Sequence, residues 1–248
     1  MTQETLKEFK DLFKSNTSKD FYSAQKKMAA MDDSIGSQAK ILGNKLLKKF
    51  SALFALKSKT IAEKMINGTL QASETSLNSS LKALTGGLSL KTGVVSAGLE
   101  TITTALVAEN VSLIKSIPQE YFTKVTGSVM RSITSGQGIM DLIPDIQQYD
   151  GQTYRRAKNL ALDQTRKAYN SINKQKLIGL GVKKFEWIHS GGGQVPRKWH
   201  VKIDGVVFSF ENLEREQAAL GVPESDRGLP SWPVNCRCTM LPVIEFED

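Results

Sequence analysis

Both histidines of the chain, His189 and His200, and both cysteines, Cys236 and Cys238, fall in its final quarter. Two imidazoles and two thiols form the donor set of a tetrahedral zinc site. The spacing speaks against that use, because zinc knuckles place two or more residues between paired cysteines and only Arg237 stands between these. On an extended strand Cys236 and Cys238 point to one side, so the histidines would have to converge on them from separate loops. The residues favour two small buried thiols with hydrogen-bonded histidines and no bound metal.

A thiol can also serve as a nucleophile if a base sits beside it. His200 is the available base, with Asp204 to orient it, and a Cys/His-dependent processing enzyme is the alternative this set keeps open. No GxSxG elbow or HExxH pair is present. The glycine-rich run Ser190 to Gln194 (SGGGQ) lacks the Lys and the Ser or Thr of a phosphate loop. The chain therefore reads as a non-enzyme, with no catalytic residue and no cofactor.

The elements that must position these residues follow from periodicity. Leu6, Phe9, Leu12 and Phe13, then Ile41 through Met65, recur at helical spacing, with Asp32, Asp33, Ser34 and Gly36 as the break of a helical hairpin. Leu70, Leu77, Leu81, Leu84 and Leu88 form one narrow seam, and Val95, Leu99, Ile102 and Leu106 another, interrupted at Thr85 to Gly87. Such seams need helix partners, within one bundle first and in a homo-oligomer through residues 70–106 as the other option.

Pro118 suits a first helical turn, and Phe122, Val125, Val129 and Ile133 follow before Gly136. A further helix begins near Thr153, with Ala157, Leu160, Ala161, Ala168 and Ile172 as its apolar line and Gly179 and Gly181 as its stop. The period then changes to alternation. Phe185 and Trp187 share one sheet face, and Trp199, Val201 and Ile203 lead through Asp204-Gly205 into Val206, Phe208 and Phe210, the pattern of a hairpin. Glu211 to Leu220 reads as a short acidic helix, residues 221–235 as a loop, and Arg237 to Phe246 as a closing strand. The fold class is α+β: a mostly helical N-terminal two-thirds, then a small mixed α/β cap with an antiparallel hairpin.

Charge divides the chain more sharply than hydropathy does. The 248 residues carry 33 Lys and Arg against 25 Asp and Glu, a net of +8, with a sequence pI near 9.4. Residues 1–67 hold 13 Lys, no Arg and 7 acids; residues 151–202 hold 12 basic and 2 acidic groups; residues 203–248 hold 3 and 9. Lys45, Lys48 and Lys49 in the first block, and Arg155, Arg156, Lys158, Arg166, Lys167, Lys174 and Lys176 in the second, are the candidates for contact with DNA or another polyanion. A solvated helix face explains either block as well. A DNA-binding protein unconnected with any larger assembly is a further alternative.

Two cysteines and a polar N-terminus exclude a disulfide-stapled secreted scaffold and a standard signal peptide, and place the chain in a reducing compartment. The most apolar region, Leu81 to Ile117, is interrupted by Lys82, Lys91, Glu100, Glu109 and Lys115, so no stable membrane span is expected.

Three stretches carry a resemblance: ALDQTRKAYNSINKQKLIGLGVKKFEWIHS (Ala161 to Ser190), PRKWHVKIDG (Pro196 to Gly205) and PVNCRCT (Pro233 to Thr239). In this order they resemble the Mu protein F-like family of phage minor head proteins. The resemblance is strong over residues 150–248 and extends back to about Ile117, where IPQEYFTKVTGSVMRSITSG is similar to the helical lead-in of one branch. With the charge and composition blocks before it, the chain divides into a Lys-rich helical arm (1–67), amphipathic helices rich in Gly, Ser, Thr and Leu (68–116), and a Mu F-like domain (117–248) with a lead-in at 117–180 and a cap at 181–248.

The family's Arg and His before an Asp-Gly turn map onto Arg197, His200, Asp204 and Gly205, and its Asn-Cys-Arg-Cys element onto Asn235, Cys236, Arg237 and Cys238. These residues are expected to form a structural network, with Arg197, His200, Asp204 and Arg237 buried, Asp204 as the acceptor nearest to hand for arginine, and the two cysteines packed behind. Two departures stand out. The family often has an acidic residue where this chain has SGGG, and His-Pro where this chain has Trp232, Pro233 and Val234.

The resemblance implies a low-copy protein inside the capsid of a phage or prophage, made in the host cytoplasm. It would contact the portal or major capsid protein and packaged double-stranded DNA without sequence preference, and act in head assembly or genome ejection. Some family members carry a toxin enzyme after this module; the ten residues after Cys238 hold none.

Overall fold

The computed structural model describes residues 1–17, 35–84, 97–135, 139–191 and 195–244. Four helices come first: α1 (Thr2–Thr17), α2 (Ile35–Leu84), α3 (Ala97–Thr134) and α4 (Ile139–Gly179). Then follow β1 (Lys184–Ile188), α5 (Lys198–Lys202), β2 (Val207–Ser209), α6 (Leu213–Ala219), a 3-10 turn at Glu224–Asp226, and β3 (Thr239–Val243). The chain is the mostly helical α+β protein that its periodicity implies. The breaks read at Asp32 to Ser34 and Thr85 to Gly87 lie outside the described residues, as do Leu88, Val95 and Gly136. Gly36 belongs to the first turn of α2 and breaks nothing.

The chain packs as two compact units, each built from two separate stretches: Met1–Lys59 with Val111–Lys158, and Thr60–Asn110 with Asn159–Asp248. Positions 67 and 117 fall inside α2 and α3. In the first unit, Phe9 and Phe13 of α1 join Ala39, Leu46 and Phe50 of α2, Tyr121, Phe122, Val125 and Val129 of α3, and Leu142 and Ile146 of α4 in one core. Phe50 and Phe122 stack with centroids 5.7 Å apart. Gly43 marks a close approach of α2 to α3, since a Cβ there would lie 2.8 Å from Thr126 Oγ1.

Two prolines lie within helices, and one of them, Pro118, is read from the sequence as a helix start. Pro118 is inside α3, and Pro144 is inside α4, which starts at Ile139 and not near Thr153. An interior proline removes one backbone hydrogen bond at roughly 3 kcal/mol. The burial of Ile117, Tyr121 and Phe122 around the first, and of Leu142 and Ile146 around the second, offsets that cost.

The second unit holds the sheet. Its order is β2-β1-β3, both pairs antiparallel, with Phe185 opposite Phe208 and Trp187 opposite Met240. The alternation expected for Phe185 and Trp187 is present, and both are fully buried. The hairpin differs from the sequence reading. Residues 198–202 form α5, so the strand paired with β2 is β1, and Asp204-Gly205 makes the turn between α5 and β2, with Val206 N–H donating to Ile203 O at 3.1 Å. Trp199, Val201 and Ile203 alternate in sequence, but one helical turn presents both His200 and Ile203 to the core, which strand geometry would place on opposite faces. The closing strand is shorter than expected, Thr239–Val243, and Phe246 lies outside the described residues.

The seams of α2 and α3 are covered within this unit. Leu77 and Leu81, with Leu177 of α4, complete the core under Phe185, Trp187 and Phe208. Leu99 and Leu106 pack with Ile66, Ala168 and Ile172. The sheet therefore has no independent core. Replacing Leu81 by Ala should destabilise the protein by about 2–5 kcal/mol, the usual result of emptying a buried leucine site. Urea unfolding followed by tryptophan fluorescence, with the strand tryptophan Trp187 as a reporter, measures this. A loss below about 0.5 kcal/mol would mean that α2 does not seal the sheet.

Candidate functional site

The end of α4 sets up the site. Gly181, at φ 82, lets the chain reverse: its N–H donates to Ile178 O and that of Val182 to Leu177 O, the paired bonds of a Schellman cap. The chain then enters β1, and Trp187 meets the His200 ring edge to face with centroids 5.1 Å apart. His200, Cys236 and Cys238 are each more than nine-tenths buried. Burial alternates from Cys236 through exposed Arg237 and buried Cys238 into β3, so the extended chain turns both thiols to the same side.

His200 Nδ1 lies 3.4 Å from Cys236 Sγ and 3.6 Å from Cys238 Sγ, and Nε2 is 3.2 Å from the backbone oxygen of Asp226. A carbonyl only accepts, so Nε2 carries the hydrogen. The two thiols behave oppositely. The Cys238 hydrogen bond draws Cys236 down to about 4 against the pull of burial, with help from His200 and the Ser231 N–H. Cys238 is pushed far up by its bond to Cys236, by burial and by the Cys236 charge, while the Ser190 backbone and the Trp187 indole pull the other way. Burial pulls His200 down, but the bond and charge of Cys236, with Asp226 behind them, leave it raised. A thiolate beside an imidazolium is what nucleophilic chemistry requires of a cysteine, and the orienting group is the Asp226 carbonyl.

Asp204 does not join this cluster. It is exposed and accepts the His189 N–H at 2.7 Å. Arg197 pairs with the Asp226 carboxylate and donates to Val234 O at 2.9 Å, and it is half-exposed. Arg237 is exposed. The buried network expected of Arg197, His200, Asp204 and Arg237 is thus replaced by one centred on Asp226, which holds Arg197 by its side chain and His200 by its backbone. Asp226 sits in a loop between prolines, and nothing in its local sequence marks it.

Other partners were equally silent. Asn235, at φ 62, is tolerated there because Asn adopts the left-handed region more readily than most residues; its N–H donates to Asp163 at 2.6 Å, and Cys236 N–H closes the turn on Pro233 O. Ser231, at φ 70, donates its N–H to Cys236 Sγ at 3.4 Å and its hydroxyl to Cys238 O at 2.9 Å. Asn170 donates to Ser231 Oγ at 2.9 Å. Buried Gln217 exchanges two hydrogen bonds with the Gly228 backbone. His189, Ser190, Arg197, Asn235 and the three cluster residues line a pocket of about 340 Å³.

The basic candidates separate. Lys45, Lys48, Arg155 and Lys158 are exposed. Lys49, Arg156 and Lys167 pair with Glu4, Glu120 and Glu109. Arg166 and Lys174 are half-buried. Lys176 is buried, and that burial lowers its pKa although Glu74 pulls it up, so it is no surface contact. Among the described residues, no helix is long and apolar enough to cross a membrane.

Residues 123–241 match the family described as Phage Mu protein F like protein. The chain is 30% identical over 223 residues to an uncharacterized protein of Haemophilus influenzae (strain ATCC 51907 / DSM 11121 / KW20 / Rd), a match covering 87% of this chain and 46% of that relative. The chain thus spans about half the length of the curated relative it matches. No solved structure matches.

The Cys236 bond is the leading influence that raises His200, so Cys236→Ala should let burial prevail and lower the His200 pKa in metal-free protein, as read from the imidazole carbon-bound protons by NMR titration. In the parent protein the raised value means a stabilising contribution that is complete below the ordinary 6.5 and lost as pH rises through the folded pKa. The variant should show a flatter stability profile over that window. An unchanged His200 titration would show that Cys236 does not hold the imidazolium.

Proposed function

We propose, from the match of residues 123–241 to the family described as Phage Mu protein F like protein, that this chain is a minor head protein of a phage or prophage. It works inside the capsid, in head assembly or genome delivery, through contacts with the portal or inner shell and with packaged DNA. The family match is the observation that carries this reading. The chain's charge supports the DNA contact: Lys45 and Lys48 on α2 and Arg155 and Lys158 on α4 are exposed cations on rigid helices, suited to phosphate neutralisation without base readout. In this role the chain is a structural component, and its loops serve to hold the cap in one conformation.

Separated heads and tails from induced particles, compared by mass spectrometry and cryo-EM, test the assignment. The chain should be found in DNA-filled heads at a few copies per particle, and deletion of its gene should reduce infectious yield by at least tenfold. Absence from heads, or normal yield without the gene, would overturn it.

Purified protein should bind duplex DNA with an affinity that falls steeply with salt. Replacing Lys45 and Lys48 together by Gln should reduce the slope of log K against log salt by about 1–2. Lys176→Gln should leave that slope unchanged, since Lys176 is buried. Fluorescence anisotropy across a salt series reads both, and a slope indifferent to Lys45 and Lys48 would remove these residues from the DNA surface.

A further inference from the structure

His200 Nδ1 faces two sulfurs at once, at 3.4 and 3.6 Å. A tetrahedral zinc ion with a Zn–N bond of about 2.0–2.1 Å and Zn–S bonds of about 2.3 Å places a nitrogen and a sulfur ligand about 3.6 Å apart. The three donor atoms lie within 4.8 Å of one another, and among the described residues no other group of three such donors comes together. Both nitrogen-to-sulfur sides of the triangle already have about the length found in a zinc coordination shell.

Tautomer and support point the same way. Because Nε2 donates to the Asp226 carbonyl, loss of the other ring proton to an incoming cation leaves the lone pair on Nδ1, the atom that faces both sulfurs. A ligating histidine typically has this kind of outer partner, which fixes ring orientation. Trp187 packs edge to face on the same ring. The Cys236 sulfur receives the Ser231 N–H, and the carbonyl of Cys238 is held by the Ser231 hydroxyl. A single cation satisfies all three donors.

We infer that His200, Cys236 and Cys238 bind one zinc ion, with the fourth coordination position open to the pocket that all three line. A nitrogen and two sulfurs select a soft or borderline metal over magnesium or calcium. The close Cys-x-Cys spacing is no obstacle, because the extended chain before β3 delivers both sulfurs from one side while α5 brings the imidazole from another element. His189 stands outside the ligand set: its Nδ1 accepts the Gly191 N–H at 3.2 Å, and water supplies the fourth ligand.

The test uses the full chain, reduced and stripped with a chelator. Zinc is added, excess is removed by gel filtration, and metal is measured by mass spectrometry; one zinc per chain is expected, and less than about a tenth would overturn the site. Cobalt(II) in place of zinc should give thiolate-to-cobalt charge transfer in the near ultraviolet and the intense visible bands of a tetrahedral ion. Weak octahedral bands without charge transfer would overturn the thiolate assignment even where stoichiometric metal is found. Cys236→Ser and Cys238→Ser should each lose about half of the charge-transfer intensity or all stoichiometric binding, and His189→Ala should keep both. Loss of binding in His189→Ala, with the fold intact by circular dichroism, would overturn the three-donor assignment. If a cysteine variant fails to fold, the cobalt spectrum of the parent protein decides alone.

Discussion

A sheet of three short strands cannot bury two large aromatic side chains by itself, and the organisation of the second unit follows from that shortage. Phe185 and Trp187 on β1 are fully buried although neighbouring strands place only Phe208, Pro242 and Met240 opposite them. The remaining cover comes from Leu77 and Leu81 on α2, Leu177 on α4, and Ile203 and Leu213 from the loops and short helices between strands. Filling this core is worth about 25 cal/mol for each square ångström of apolar surface removed from water. His200 and the two cysteines occupy the polar margin of the same core, where Trp187 fixes the imidazole plane and the run into β3 fixes the sulfurs. The position of the chemistry is thus set by the hydrophobic need of the strands.

Much of this was legible in residues. The aromatic alternation at Phe185 and Trp187, the helical repeats from Leu6 to Met65, the stop at Gly179 and Gly181, and the common side of Cys236 and Cys238 each rest on a strict local period or a backbone rule. Where local signals competed with packing, they failed. Pro118 reads as a helix start by propensity, yet it sits inside α3 beside the buried Ile117, Tyr121 and Phe122. Residues 199–203 alternate like a strand, but the short span from Arg197 to Asp204 coils so that His200 and Ile203 reach one core.

The buried face of α4 was hidden for a different reason. Its apolar line was read through Ala157, Leu160 and Ala161, of which Ala161 is exposed, whereas Asp163, Gln164, Asn170, Ser171, Asn173 and Lys176 are buried. Hydrophobic periodicity has no means of finding a face that is buried because it hydrogen-bonds. Asn170 reaches Ser231, Asp163 reaches the Asn235 N–H, and Asn173 accepts from Ser73 at 2.6 Å. Each satisfies a group that would otherwise be desolvated without compensation. Asp226 escaped notice by the same logic, since its carboxylate and its carbonyl serve two different residues from a loop with no period at all.

The interleaved build of the two units has a consequence in time. Ser73 and Asn173 are a hundred positions apart, and the core that contains Leu77 also contains Met240. α2 can coil as soon as it is made, but the core over Leu77 and Leu81 is not complete until β3 has been synthesised and docked. Contacts of such long separation slow folding, because the entropy of closing the loop is spent before the contacts return anything. During that interval the leucines of α2 are exposed to chaperones, to other nascent chains and to any partner that arrives early. Completion of the cap is therefore the step that commits the chain, and synthesis delivers it long after α2.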